Sequence, residues 1–310
     1  MGVHRVDTAG GNPTKGKLSS LAKKRLVRFV TLYPKALVSD DVEVVHNLRV
    51  ASRRLQQVLQ LILPEAKSSA RKKVLRTLRK VRRAFGPCRN LDVNLNLVRG
   101  RMEKTTAAIV RQAWAGVQLW LEERRTGAIE TGRAELRQHE LVDLIDRLQS
   151  LLENTGEEAE SMERLWERTN DALSEWRNAL DAAKADPAVQ RIHAFRIAGK
   201  KLRYRVELLG ELGNSSVKPM IGALKSLQDD LGDWHDHAVL RDHVGEFMQR
   251  PGFMKDEPRM CRALLREMER DKQHDRALIP EIMMKAEKLA QDLMQFEPKE
   301  PTADDRQKDQ

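Results

Sequence analysis

Residues 46–55 read His-Asn-Leu-Arg-Val-Ala-Ser-Arg-Arg-Leu, and residues 193–202 read His-Ala-Phe-Arg-Ile-Ala-Gly-Lys-Lys-Leu. The two stretches align without a gap at an offset of 147. Leu48, Ala51 and Leu55 in one, and Phe195, Ala198 and Leu202 in the other, recur at helical spacing, so each stretch predicts an amphipathic helix. The same register carries Leu18 onto Leu165, Leu26 onto Leu173 and Phe29 onto Trp176. After a one-residue deletion it carries Leu78, Val81, Phe85 and Gly86 onto Leu224, Leu227, Leu231 and Gly232. Similarity at a long fixed offset is the mark of a repeated helical unit.

Outward from these stretches the 3.6-residue pattern continues, with few Pro or Gly and no clear alternation of period two. The reading is all-α. Helices are expected near 16–33, 40–63, 67–85, 89–103, 105–126 and 133–153, then near 157–184, 187–210, 217–231, 235–248, 259–271 and 276–295. Ser39 and Asp40 are expected to cap the second helix, and Asp186 followed by Pro187 to start the eighth. The expected organisation is a polar disordered segment 1–15, a helical domain 16–295 with repeat halves of about 16–153 and 157–295, and a polar disordered tail 296–310. Two similar helical bundles related by an internal repeat are expected to pack about a pseudo-two-fold axis.

The 310 residues include 56 Lys and Arg against 46 Asp and Glu, a formal net charge of +10. That balance points to a polyanionic partner. Two cysteines, Cys88 and Cys261, exclude a disulfide framework and lack zinc-site spacing. No apolar run approaches the roughly 20 residues that cross a bilayer, and the first residues lack a secretory h-region. The expectation is a cytoplasmic protein without membrane contact.

The charge is not scattered. His46, Arg49 and Arg53 share one arc of their helix, flanked by Arg54 and opposite the apolar side. His193, Arg196, Lys200 and Arg203 do the same in the second copy, with Lys201 beside them. Acidic residues are nearly absent from these arcs, although a solvated helix face ordinarily interleaves signs. Residues 71–89 hold nine Lys and Arg and no carboxylate, with Lys72, Arg76, Arg79 and Arg83 in a stripe and Arg89 after it. The second half keeps Lys218 and Lys225 there but puts Gly222, Gln228 and Asp229 in place of three arginines. Any anion site should lean towards the first half. Guanidinium groups on every turn suit a polymer charged at every unit, and no Gly-rich phosphate loop or Walker A sequence offers a small-phosphate site.

These residues resemble the CHAD domain, the conserved histidine α-helical domain. The resemblance rests on the paired segments His46–Leu55 and His193–Leu202. It rests also on Phe85-Gly-Pro-Cys-Arg-Asn-Leu-Asp-Val93 and Leu227-Gln-Asp-Asp-Leu-Gly-Asp-Trp-His-Asp236, and it spans about residues 15–295. Asn90 stands where the family usually shows Asp, and His235 stands opposite Arg89. The resemblance implies two similar helical bundles, a basic central groove that binds inorganic polyphosphate, and association with polyphosphate granules. Carried over by position, the phosphate-facing residues are His46, Arg49, Arg53, Arg54, His193, Arg196, Lys200 and Lys201, with Arg76, Arg79, Arg83, Arg89 and Lys225 on the adjacent helices; Arg203 joins them from its place on the second arc.

Other constellations are weaker. His235, His237 and His243 lack the i,i+4 spacing of a helical metal pair. Asp229, Asp230, Asp233 and Asp236 sit without a second carboxylate cluster for acid–base work. No strand-rich region suggests the tunnel domain that accompanies CHAD domains in triphosphatases. Cys88 lies among basic residues, which favour a thiolate, but no His or Asp partner pattern marks a nucleophile, and a buried or incidental thiol is expected. Trp114, Trp120, Trp166, Trp176 and Trp234 read as core. The expected function is non-enzymatic polyphosphate binding without cofactor or metal, and the alternative is a nucleic-acid-binding protein using the same surface. If His46 and His193 donate to phosphate, binding should strengthen as pH falls from 8 to 6.

Overall fold

The computed structural model describes residues 13–63, 69–153 and 162–294, and among them there are helices and no strands. In chain order they are α1 (Pro13–Val38), α2 (Val42–Ile62), α3 (Ser69–Ala84), α4 (Gly86–Lys104), α5 (Ala108–Arg137), α6 (Leu141–Glu153), α7 (Met162–Ala185), α8 (Val189–Glu211), α9 (Lys218–Met248), the single turn α10 (Phe253–Asp256) and α11 (Pro258–Met294). Residues 13–15, expected in the disordered segment, open α1, with Pro13 in the first turn where a missing N–H costs nothing. The rest of that segment and the expected tail lie outside the described residues.

Three apolar clusters hold the helices together. The first joins Phe29, Leu48, Leu55, Leu78 and Phe85 of α1–α4 with the end of α5 and α6. The second joins Trp176, Phe195, Leu202, Leu224 and Leu231 of α7–α9 with the second half of α11, and takes Leu18, Val58 and Ile62 from α1 and α2. The third draws α4 and α5 together with the end of α9 and the start of α11, around Trp114, Leu121, Leu240, Phe247 and Leu264. The residues paired by the repeat are buried alike, as at Phe29 and Trp176, Leu55 and Leu202, or Leu78 and Leu224. Each such side chain contributes about 1.5–3 kcal/mol by leaving water.

Several helix ends differ from expectation. Asp41, not Ser39 or Asp40, caps α2, accepting from the Glu43 N–H at 2.9 Å. Asp40 instead binds the Arg133 guanidinium at 2.7 Å. The Asp186 N–H closes the last turn of α7 on the Ala182 carbonyl, and its carboxylate pairs with Arg191, so α8 starts later, at Val189. The helices expected at 217–231 and 235–248 are one, as are those at 259–271 and 276–295. Pro280 lies inside α11; the backbone bond it removes is outweighed by burial of Ile282, Met283, Ala286 and Leu289 just beyond it. The break expected after residue 126 falls after Arg137. Gly132 lets α5 pass the α3–α4 junction there, because a Cβ would sit 2.8 Å from the Phe85 ring and 2.9 Å from the Ala84 carbonyl.

Candidate anion-binding site

The apolar arc of α2 packs into the first cluster, and that of α8 into the second. Their opposite arcs are thereby left with the charged residues. Arg49 donates a hydrogen bond to the Arg82 carbonyl in the last turn of α3, where unpaired carbonyls carry partial negative charge. Its guanidinium also lies 3.6 Å from a Cβ built on Gly86, at the start of α4. Arg53 reaches the other way and donates to the Tyr204 hydroxyl of α8. Arg203 lies 4.9 Å from the centroid of the same ring. Tyr204 therefore ties the cationic arc of α2 to that of α8.

Electrostatics describe the same cluster. Burial, with Arg53, Arg82 and Arg89 nearby, pushes Arg49 down to about 10. Burial and Arg53, Arg79 and Arg83 do the same to Arg82. Lys200 is pushed down to about 7 by burial, then by Arg196 and Arg53. Burial also lowers Arg196, and Arg53 adds to the effect. Its buried Nε has no hydrogen-bond partner among the described residues. The cause is shared: cations drawn out of water beside one another with few anions. Asp236 of α9 is the carboxylate that offsets both Arg196 and Lys200, and burial raises its own pKa.

The histidines join from the edges. Burial lowers His46, and Arg89 lowers it further. Burial, Arg196 and Lys200 lower His193. The His193 and His235 rings lie 5.0 Å apart, and burial with Arg196, His193 and Lys200 pushes His235 down to about 4. These histidines are therefore neutral near pH 7 in the free protein. The group that titrates there is Lys200.

Of the residues expected in the site, His46, Arg49, Arg53, Arg89, His193, Arg196, Lys200 and Arg203 come together, with Arg79 and Arg83 flanking through Arg82. Arg76 and Lys225 are exposed and pair with no carboxylate among the described residues. One is drawn elsewhere and another is exposed. Lys201 points to α7, where Glu175 takes its ammonium at 2.6 Å. Arg54 is exposed, and its carbonyl accepts from Arg25, which pairs with Glu211. Sequence reasoning missed Arg82, Tyr204 and Asp236. For Arg82 the signal was present, since it stands three residues after Arg79 on the carboxylate-free helix.

The remaining constellations separate. His237 faces Arg101, Asp271 and Asp275, whereas His243 lies 2.6 Å from the Asn94 amide and edge-on to Trp120. Cys88 is the expected buried thiol, and its basic neighbours in sequence do not lower its pKa. Burial with the neighbouring Asp92 carboxylate pushes the thiol up to about 11, despite Arg125 and Arg49. No helix among the described residues is long and apolar enough to cross a membrane.

The sequence profile of one family, described as the CHAD domain, matches residues 21–245 of the chain. Among solved structures the chain is similar to the crystal structure of the CHAD domain from the plant Ricinus communis. That likeness has a TM-score of 0.66 at 16% identity and covers 91% of this chain and 96% of that one, which speaks to the fold alone. No curated protein matches the sequence.

Proposed function

Because the chain belongs to the CHAD domain family, we propose that it binds inorganic polyphosphate, without turnover, in a groove between α2 and α8. One observation carries the reading: Arg49, Arg53, Arg82, Arg196 and Lys200 crowd together from three helices, and burial lowers the pKa of four of them. Holding such charges close costs folding energy that an anion would return. The donors favour a chain of phosphates. Guanidinium groups at successive turns each bind one phosphate, and every bound phosphate releases condensed counterions, so affinity falls steeply with salt. Chain length adds affinity by engaging several cations at once. In the cell the same binding would hold the protein at polyphosphate granules.

The test is retention of long-chain polyphosphate by the wild type and by the Arg49→Ala, Arg53→Ala, Arg79→Ala, Arg83→Ala variant. Loss of retention with unchanged helical circular dichroism is expected; full retention would move the groove elsewhere. Duplex and single-stranded nucleic acid serve as competitors, and polyphosphate is expected to displace both. Released phosphate in the presence of Mg²⁺ would overturn the non-enzymatic reading.

A further inference from the structure

A second cationic surface lies at the far end of α4. Twelve residues, about 18 Å of helix, separate Arg89 in the central cluster from Arg101. Around Arg101 the last turn of α4, the first turn of α5 and the start of α11 enclose a cleft of about 970 Å³. Arg101, Lys104, Arg259, Arg262, Arg266 and Arg270 line it, with Glu267 and Asp271 as its carboxylates. Both carboxylates are already engaged: Asp271 holds Arg101 at 2.7 Å and Glu267 holds Arg270 at 2.6 Å. Lys104, Arg259, Arg262 and Arg266 remain without an ion-pair partner among the described residues.

Arg259, Arg262, Arg266 and Arg270 follow one another at i, i+3, i+7 and i+11 on α11. They form one stripe about 16 Å long. Arg262 is braced by a 3.2 Å bond from its Nε to the Pro258 carbonyl and is exposed to solvent. Like charges at this spacing repel, and the two engaged carboxylates leave Arg259, Arg262 and Arg266 without an ion-pair partner among the described residues. Monophosphate would satisfy one or two of these cations. A linear oligophosphate would meet the stripe on one side and Lys104 on the other.

We infer that this cleft is a second, independent binding site for an oligophosphate of three or more phosphate groups. The chemistry is shared by inorganic tripolyphosphate and by the triphosphate of a nucleotide. Ile109, Val110 and Ala263 also line the cleft, and this apolar wall gives a nucleoside something to rest on that an inorganic chain does not use.

Calorimetric titration of the full chain with tripolyphosphate at low salt tests the site. Two equivalents are expected. The Arg259→Gln, Arg262→Gln, Arg266→Gln variant should lose one of them, its three positions being exposed and outside the apolar clusters. The Arg53→Ala, Arg196→Ala, Lys200→Ala variant should lose the other. If the wild type binds one equivalent and only the central variant removes it, the cleft is not a site and the central reading stands. If only the α11 variant removes it, the cleft stands and the central reading fails. An α11 variant that titrates like wild type overturns the inference. ATP without metal, run in parallel on the central variant, identifies the source. Binding at least tenfold tighter than tripolyphosphate assigns the cleft to nucleotides, and equal or weaker binding assigns it to inorganic chains.

Discussion

The α2–α3 region and its counterpart, α8 with the first half of α9, use one pattern of apolar residues for two different electrostatic outcomes. In the first, α3 carries no carboxylate, and Arg79, Arg82 and Arg83 crowd one another. In the second, Asp229 and Asp230 enter, Asp230 pairs with Lys285, Lys201 pairs with Glu175, and Gln228 replaces the arginine at the position of Arg82. The apolar side differs in a compensating way. Phe29 with Ser52 in the first region becomes Trp176 with Gly199 in the second. The larger ring occupies the space that a side chain at residue 199 would need, since a Cβ there would lie 3.2 Å from the Trp176 indole nitrogen. The paired apolar positions are buried alike while the paired charged positions differ. The lesson is that the fold needs the apolar side of these helices, and the proposed anion binding needs the other side.

The comparison breaks first if the seam itself is removed. Arg53→Ala, Arg196→Ala and Lys200→Ala together should weaken polyphosphate binding more than about a hundredfold, since each charge-assisted bond contributes about 1.5–3 kcal/mol. The salt slope should fall by about one for each phosphate that is no longer neutralised. Filter retention over a salt series reads both.

Next in size is pH. Lys200, near 7 when free, is favoured in its charged form by a bound phosphate, so binding takes up a proton. Affinity is then fully present below pH 7 and should fall about tenfold between pH 6 and 8. This keeps the direction expected from the histidines but moves the carrier to Lys200; His235, near 4, stays neutral across that range. Lys200→Arg should flatten the profile in calorimetry. The free protein, which holds Lys200 with a depressed pKa, should gain stability as pH rises above 7, and saturating polyphosphate should cancel that gain.

A finer test sets Arg79→Ala against Lys225→Ala, the paired positions of the two regions. About a fivefold loss is expected for Arg79 and twofold or less for Lys225, which is exposed and has Asp229 one turn on where Arg79 has Arg83. Equal losses would erase the asymmetry. The smallest effect is on stability. Gly199→Ala gains about 1 kcal/mol of helix propensity but overpacks Trp176 at a cost of about 1–3 kcal/mol. Denaturant titration should therefore show a net loss of about 1 kcal/mol, recovered by adding Trp176→Phe.

Much of this was legible in residue spacing, because an amphipathic helix writes its two faces into the order of its residues. His46, Arg49 and Arg53 were found that way, as were His193, Arg196 and Lys200. What spacing does not carry is the partner across space. Lys201 follows Lys200 immediately, yet one is half-buried among cations and the other is held by Glu175, 26 residues away. Tyr204 and Arg82 matter through contacts between helices, and Cys88 takes its pKa from burial against Asp92 rather than from basic neighbours in sequence. Helix ends were the least legible. Whether Pro280 breaks a helix depends on the burial of residues beyond it, and whether Asp186 caps one depends on Arg191.

The adjacent lysines give the most direct measurement. Amine acetylation of the folded protein, followed residue by residue by mass spectrometry with and without long-chain polyphosphate, compares Lys200 with Lys201 in one experiment. The account predicts that Lys200, half-deprotonated near pH 7, is labelled in the free protein and strongly protected by polyphosphate, while Lys201 on its outward ion pair is unaffected. Equal protection of the two, or labelling of Lys200 that polyphosphate leaves unchanged, would contradict a phosphate site between α2 and α8.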